Sequence, residues 1–264
     1  MKKWSFVRKA VQIAALGVLL LPLVFTKPIW FGTYLSAQFL TISLTDPLAA
    51  LEVTLAGKEL WLPLLWSVLP LAVVALLLGR VFCGWICPLN TLLELVALIK
   101  PSQVNSAGSS YFSYVLLAGC LLLSLFFSLP VFTMISPIGI LSRLFVFGAG
   151  FEVLLLVIIV FAEWFIGQKT WCRNFCPAGA LYGVLGRWRV IGVALDRTKC
   201  THCGHCRTAC TMNVHIASDA LLDVLNCTNC GACIDVCTEK ALHFSWKKQK
   251  GGQKHCESVE SIER

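Results

Sequence analysis

Charge is scarce in this chain. Only 14% of its 264 residues are Asp, Glu, Lys or Arg, against 57% that are hydrophobic, and the mean hydropathy is +0.77. So little charge argues against an ordinary soluble domain and predicts several membrane spans. Acidic residues are scarcer than basic ones, 14 against 22, leaving a net charge of +8. That excess does not point to nucleic acid, because the basic residues flank apolar segments instead of lining one surface. A cleavage site is missing too. No small-x-small pattern follows the first apolar stretch, residues 10–31, which runs on through Trp30 and Phe31. The stretch therefore reads as a retained helix rather than a removable secretory signal.

Cysteine, by contrast, is abundant, with 14 residues. Eight fall in two runs, Cys200-x2-Cys203-x2-Cys206-x3-Cys210 and Cys227-x2-Cys230-x2-Cys233-x3-Cys237. This is the spacing by which bacterial ferredoxins hold [4Fe-4S] cubes: three close thiolates wrap one cube and the fourth reaches the other. The expected ligand sets are Cys200, Cys203, Cys206 and Cys237 for one cluster, and Cys227, Cys230, Cys233 and Cys210 for the second. Zinc modules use separated C-x2-C pairs, and a disulfide framework fits neither the spacing nor a reducing compartment. Pro, which usually follows the fourth cysteine of such runs, is replaced by Thr211 and Thr238. Since Pro is no ligand, both clusters are retained, with altered hydrogen bonding around the sulfurs. His202, His205 and His215 are candidate ligands or tuning donors, or simply exposed loop residues. Cys120 reads as a packing residue in an apolar run, and Cys256 as a bystander in a polar tail.

Four apolar stretches, residues 10–31, 61–79, 111–135 and 144–167, are expected to cross the membrane as helices, with Pro70 kinking the second. Lys2, Lys3, Arg8 and Lys9 precede the first, Arg80 and Lys100 follow the second, and Lys169, Arg173, Arg187 and Arg189 follow the fourth. The positive-inside rule then places both termini in the cytoplasm, with the loops around Asp46 and Pro137 outside. Reduced thiolates belong on the same side. The expected fold is mainly α: a four-transmembrane-helix domain over residues 1–189, built as a two-helix repeat. A cytoplasmic, ferredoxin-like α+β domain with two [4Fe-4S] clusters follows over 190–246, then a disordered tail over 247–264.

The repeat is visible in the motifs. Arg80-Val-Phe-Cys83-Gly-Trp-Ile-Cys87-Pro88 follows the second stretch, and Lys169-Thr-Trp-Cys172-Arg-Asn-Phe-Cys176-Pro177 follows the fourth. Asp46-Pro47-Leu48 and Ser136-Pro137-Ile138 stand at nearly equal distances upstream. Cysteines four apart share one side of a helix. Packed about a pseudo-two-fold axis, Cys83, Cys87, Cys172 and Cys176 can converge as a redox or metal-binding thiol set, or else serve only as packing. Glu163, an acid near the end of the fourth stretch, is a candidate for proton handling, or for pairing with Arg80 or Lys169.

These motifs, with Leu44-Thr45-Asp46-Pro47-Leu48 and Gly179-Ala180-Leu181-Tyr182-Gly183-Val184-Leu185-Gly186, resemble the NapH family of ferredoxin-type membrane subunits in periplasmic nitrate reductase systems. The resemblance implies a quinol-dehydrogenase subunit acting within a complex in the bacterial inner membrane. It would take electrons from membrane quinol, with a periplasmic ferredoxin-like NapG-type partner and a NapC-type membrane cytochrome c downstream. Two other readings stay open: a FixG- or NosR-like metal reductase or maturation factor, and a non-catalytic ferredoxin that docks a partner at the membrane.

Overall fold

The second apolar stretch becomes a helix that stops abruptly at Gly79, whose φ of 71° no side chain readily adopts. The computed structural model describes residues 3–24, 30–32, 36–39, 42–59, 61–99, 111–147, 150–214 and 225–246. In chain order its body comprises α1 (Lys3–Val24), β1 (Trp30–Gly32), β2 (Ser36–Phe39), β3 (Ile42–Thr45), α2 (Pro47–Gly57) and α3 (Leu62–Leu78). There follow α4 (Val81–Trp85), α5 (Pro88–Ile99), α6 (Tyr111–Phe127), α7 (Val131–Ile135), α8 (Pro137–Phe147) and α9 (Val153–Ile166). A π-helical turn (Trp171–Phe175) then leads to α10 (Pro177–Leu185) and a 3-10 turn (Gly186–Trp188). Strands β1, β2 and β3 form an antiparallel meander pairing Trp30 with Phe39 and Ser36 with Thr45, which the sequence reading did not anticipate.

The expectation of four membrane-crossing helices is overturned. Among the described residues no helix is long and apolar enough to cross a membrane, and the four-pass topology drawn from them falls as well. Crossing takes about 20 apolar residues, and the stretches are interrupted. α3 and α6 have 17 residues each and α9 has 14. Ser128, at φ 53°, and Pro130 split the third stretch into α6 and α7. The fourth is divided between α8 and α9. α1 is longer, but its first half is tied into the protein: Arg8 pairs with Glu94 at 3.2 Å, and Gln12 donates to the Gly84 carbonyl at 3.3 Å. The outer faces of α3, α6 and α9 still present large apolar side chains, among them Trp66, Phe126 and Phe161. Such patches mark contact surfaces for lipid or for a partner protein.

The body repeats one plan twice. Asp46 caps α2, its Oδ2 accepting from the Leu48 and Ala49 amides at 3.0 and 3.3 Å, and Pro47 takes the first helical position, where its missing N–H costs nothing. Pro137 likewise takes the first position of α8, although the Ser136 hydroxyl before it makes no hydrogen bond, and Cys87-Pro88 and Cys176-Pro177 open α5 and α10. α5 of the first half then packs on α8 and α9 of the second, while α10 packs on α3 of the first. Two glycines permit close approach: a Cβ on Gly186 would lie 2.6 Å from the Gly79 Cα, and one on Gly183 would lie 2.8 Å from Arg80 Nε. The core falls into two clusters. Leu48, Leu117, Phe132, Cys176, Ala178 and Ala180 form one, with Cys120 packed against it; Cys87, Leu89, Leu93, Ile138, Leu141 and Leu156 form the other.

Beyond Arg189 lies a smaller unit: β4 (Gly192–Leu195), α11 (His205–Thr208), α12 (Ala232–Val236) and β5 (Leu242–Ser245). β4 and β5 pair antiparallel, with Gly192 opposite Ser245 and Leu195 opposite Leu242. Its two cysteine loops are duplicates in backbone conformation. His202, Gly204 and Asn213 take positive φ in the first, and Asn229, Gly231 and Lys240 take it at the matching positions of the second. His215, Cys256 and the tail 247–264 lie outside the described residues.

The two units are joined by specific contacts. The amides of Val190 and Ile191 donate to the Leu77 carbonyl, and Asn229 Nδ2 donates to the carbonyls of Leu78 and Ile191 at 3.0 and 3.1 Å. At the start of α1, Trp4 and Ser5 donate their amides to the Asp235 carboxylate at 3.0 and 2.7 Å. Trp4 also packs edge-on against Phe244, with ring centroids 4.7 Å apart. Burial works to raise the Asp235 carboxyl, but the two amide donors outweigh it and hold the group below the ordinary carboxylate value. A depressed acid stabilises the fold above its unfolded value, and that contribution is lost as pH falls through the folded value. Hydrogen-exchange protection of the Trp4 and Ser5 amides should therefore fall on acidification, and Asp235→Asn should abolish that acid step.

Candidate iron–sulfur centres

Each ferredoxin-type loop places its third cysteine on a one-turn helix, Cys206 on α11 and Cys233 on α12, with the fourth just beyond it. Gly204 and Gly231, both at φ 76°, make the tight turn between the second and third cysteines. Cys210 leaves its own run. It lines one pocket with Cys227, Cys230 and Cys233, along with Val193, Met212, Val214 and Thr228. The Val214 amide donates to Cys210 Sγ at 3.4 Å. Burial raises the pKa of the Cys210 and Cys233 thiols, and the sulfurs around them raise it further. Cys200 and Cys203 lie beside Cys206, raising its thiol after burial has done so. Cys203 is exposed, and the His205 amide pulls its thiol below the ordinary value. Cys237 follows α12, which packs on α11, the helix carrying Cys206.

The other four cysteines also meet. Cys83, Cys87, Cys172 and Cys176 line a single cavity with Asp46, Arg80, Phe82, Tyr182, Met212 and Thr228. Burial raises all four thiols, that of Cys87 to about 12. The Gly179 amide donates to Cys176 Sγ at 3.4 Å. Tyr182 donates its hydroxyl to Asp46 Oδ1 at 2.7 Å, and burial raises the Asp46 carboxyl. Arg80 is 1% exposed; its Nη2 reaches the Tyr114 hydroxyl at 3.4 Å, while its Nε meets no acceptor. Asp46, Arg80 and Tyr182 are site residues that sequence reasoning used only as landmarks or topological charges. Arg80 was detectable as a cation bordering an apolar helix directly before the cysteine motif.

Glu163 stands beside this cavity and pairs with neither residue suggested for it. Its Oε1 accepts from the Trp171 amide at 2.7 Å, fastening the turn that carries Cys172, and its Oε2 has no hydrogen-bond partner. Burial raises its carboxyl. Lys169 pairs with Glu94 at 2.9 Å. Among the described residues no group of three or more His, Cys, Asp or Glu is arranged to hold a single metal ion.

Comparison with known proteins agrees with this cysteine chemistry. A family described as a 4Fe-4S binding domain matches residues 60–103 and again 149–193, the segments that carry the two C-x3-C-P motifs. Ferredoxin-type protein NapH of Escherichia coli is 31% identical, the alignment covering 84% of this chain and 79% of that protein. NapH of Haemophilus influenzae is 33% identical over 79% of this chain and 75% of its own. The chain belongs to the NapH/MauN family of ferredoxin-type proteins. Methylamine utilization ferredoxin-type protein MauN of Methylorubrum extorquens is as similar, 31% identical over 83% of this chain and 78% of its own. No solved structure matches. Membership in this family, with the 4Fe-4S domain matches, makes the chain a ferredoxin-type, iron–sulfur electron-transfer protein.

Proposed function

We propose that this NapH-like chain takes electrons from quinol and passes them through two [4Fe-4S] cubes toward a periplasmic nitrate reductase. A NapG-type ferredoxin and a NapC-type cytochrome c would be the downstream partners. Cys200, Cys203, Cys206 and Cys237 hold one cube; Cys210, Cys227, Cys230 and Cys233 hold the other. The observation that carries the reading is the crossing of Cys210 into the pocket of the second run, the ligand exchange that brings two cubes close together in ferredoxins. Quinol yields two electrons and two protons, whereas each cube takes one electron, so a pair of cubes drains one quinol in successive steps. The apolar faces of α3, α6 and α9 are a suitable approach for a lipid-soluble donor. Glu163, with one carboxylate oxygen unpartnered, is the acid we assign to proton uptake.

The likeness to MauN supports a second reading, in which the same relay serves methylamine utilization. Both readings share the test of the donor. Anaerobic protein mixed with a reduced quinol should lose its visible iron–sulfur absorbance as the cubes are reduced. Protein that dithionite bleaches and quinol does not would overturn the quinol assignment. Nitrate reductase, added with its partner proteins and nitrate, should then reoxidise the cubes; cubes that stay reduced favour the second reading.

A further inference from the structure

The four cysteines of the C-x3-C-P motifs remain without a role in this relay, yet they are gathered into one cavity from both halves of the body. We propose that Cys83, Cys87, Cys172 and Cys176 hold a third [4Fe-4S] cube, which relays single electrons to the cube of Cys210, Cys227, Cys230 and Cys233. The proposal rests on the reading of the chain as an iron–sulfur carrier, but not on quinol as the donor.

Four observations converge on it. The first is scale. A single zinc ion draws its thiolates to about 2.3 Å, and among the described residues no three cysteines of either quartet are arranged to hold one ion. Each quartet instead lines a cavity of its own. The second is charge. Arg80 is a buried guanidinium with an unpartnered Nε, it enters no ion pair among the described residues, and it lines the cavity with the four sulfurs. Four thiolates on an oxidised cube carry net negative charge, which compensates that cation where neutral thiols do not. The third is hydrogen bonding: Cys176 Sγ accepts a backbone amide at 3.4 Å, as Cys210 Sγ does. The fourth is the 4Fe-4S domain match, which covers the two segments supplying these cysteines, two from each.

The location suits a relay. Met212 and Thr228 line both cavities, so one layer of side chains separates them. Gly84, between Cys83 and Cys87, lies so near that layer that a Cβ on it would sit 3.1 Å from the Thr228 Cβ. The step is electron transfer alone. The oxidised core gains one electron from the reduced donor and surrenders it to the neighbouring cube, with no bond made or broken and no proton moved.

The test is a metal count on the full-length chain, reconstituted anaerobically with iron and sulfide, together with paramagnetic resonance of the dithionite-reduced protein. Three cubes predict about twelve iron and twelve sulfide per chain, and two cubes about eight. Cys83→Ser and Cys172→Ser, one from each half, should each lose about four iron and the same resonance component, with the ferredoxin-type components retained. About eight iron in the unaltered chain overturns the third cube and leaves the two-cube relay standing. Fewer than eight overturns both. Serine variants that keep the full count also overturn the proposal, and the count on the unaltered chain requires no variant to fold.

Discussion

Replacing Cys210 with serine is expected to remove the cube of Cys227, Cys230 and Cys233 while leaving that of Cys200, Cys203 and Cys206 in place. The result runs against sequence order, since Cys210 belongs to the first run. It follows from placement: Cys210 lines the pocket of the second run, and its thiol is raised by burial and by the sulfurs of Cys230 and Cys227. Serine keeps the size but is a far poorer ligand for iron. The reciprocal variant, Cys237→Ser, should strip the other cube. Loss of about four iron with one resonance component in each variant, and a different component in the two, establishes the crossing. Loss of the first run's component in Cys210→Ser contradicts it. Electron transfer through the chain should fall by orders of magnitude in both, because a missing cube leaves a gap in the relay.

The chemistry of this chain was more legible in its sequence than its architecture was. Cysteine spacing is a local property, and the duplicated loops reproduce it in backbone form, down to positive φ at matching positions. The internal repeat was legible for the same reason, through Asp46-Pro47, Ser136-Pro137 and the two C-x3-C-P motifs. Length of an apolar run is a weaker guide. Ser128 and Pro130 look innocuous within residues 111–135, yet they end α6 and begin α7. Arg8 reads as the flank of a membrane helix and Gln12 lies within the stretch 10–31, but each finds a partner inside the protein. Tertiary pairing of this kind leaves no periodic trace. The same holds for Asp46 and Tyr182, which are 136 positions apart and meet at 2.7 Å.

Substitution of Glu52 by leucine should have the largest effect on stability. Glu52 is fully buried, and no ion pair among the described residues involves it. Its carboxylate instead receives the amide of Phe132 at 2.9 Å on Oε1, and on Oε2 the amide and hydroxyl of Thr133 at 2.9 and 2.7 Å. These are the free donors at the start of α7, which has no preceding turn to satisfy them and no side-chain cap of its own. Ser124 of α6 adds a bond to the Glu52 carbonyl at 3.0 Å, so α2, α6 and α7 are fastened at one point. Leucine is apolar and of similar volume, but it leaves the Phe132 and Thr133 donors unmet. Each orphaned donor costs about 1–3 kcal/mol, so the total loss is about 3 kcal/mol or more. For a chain of this size that lowers the thermal midpoint by on the order of 10 °C. Glu52→Gln, which retains acceptor oxygen, should lose distinctly less. α2 begins at Asp46, which lines the four-thiol cavity, so the leucine variant should also loosen Cys176 and Tyr182 in exchange or labelling experiments. An unchanged midpoint would mean that water replaces the carboxylate at α7 and that Glu52 is not what joins the three helices.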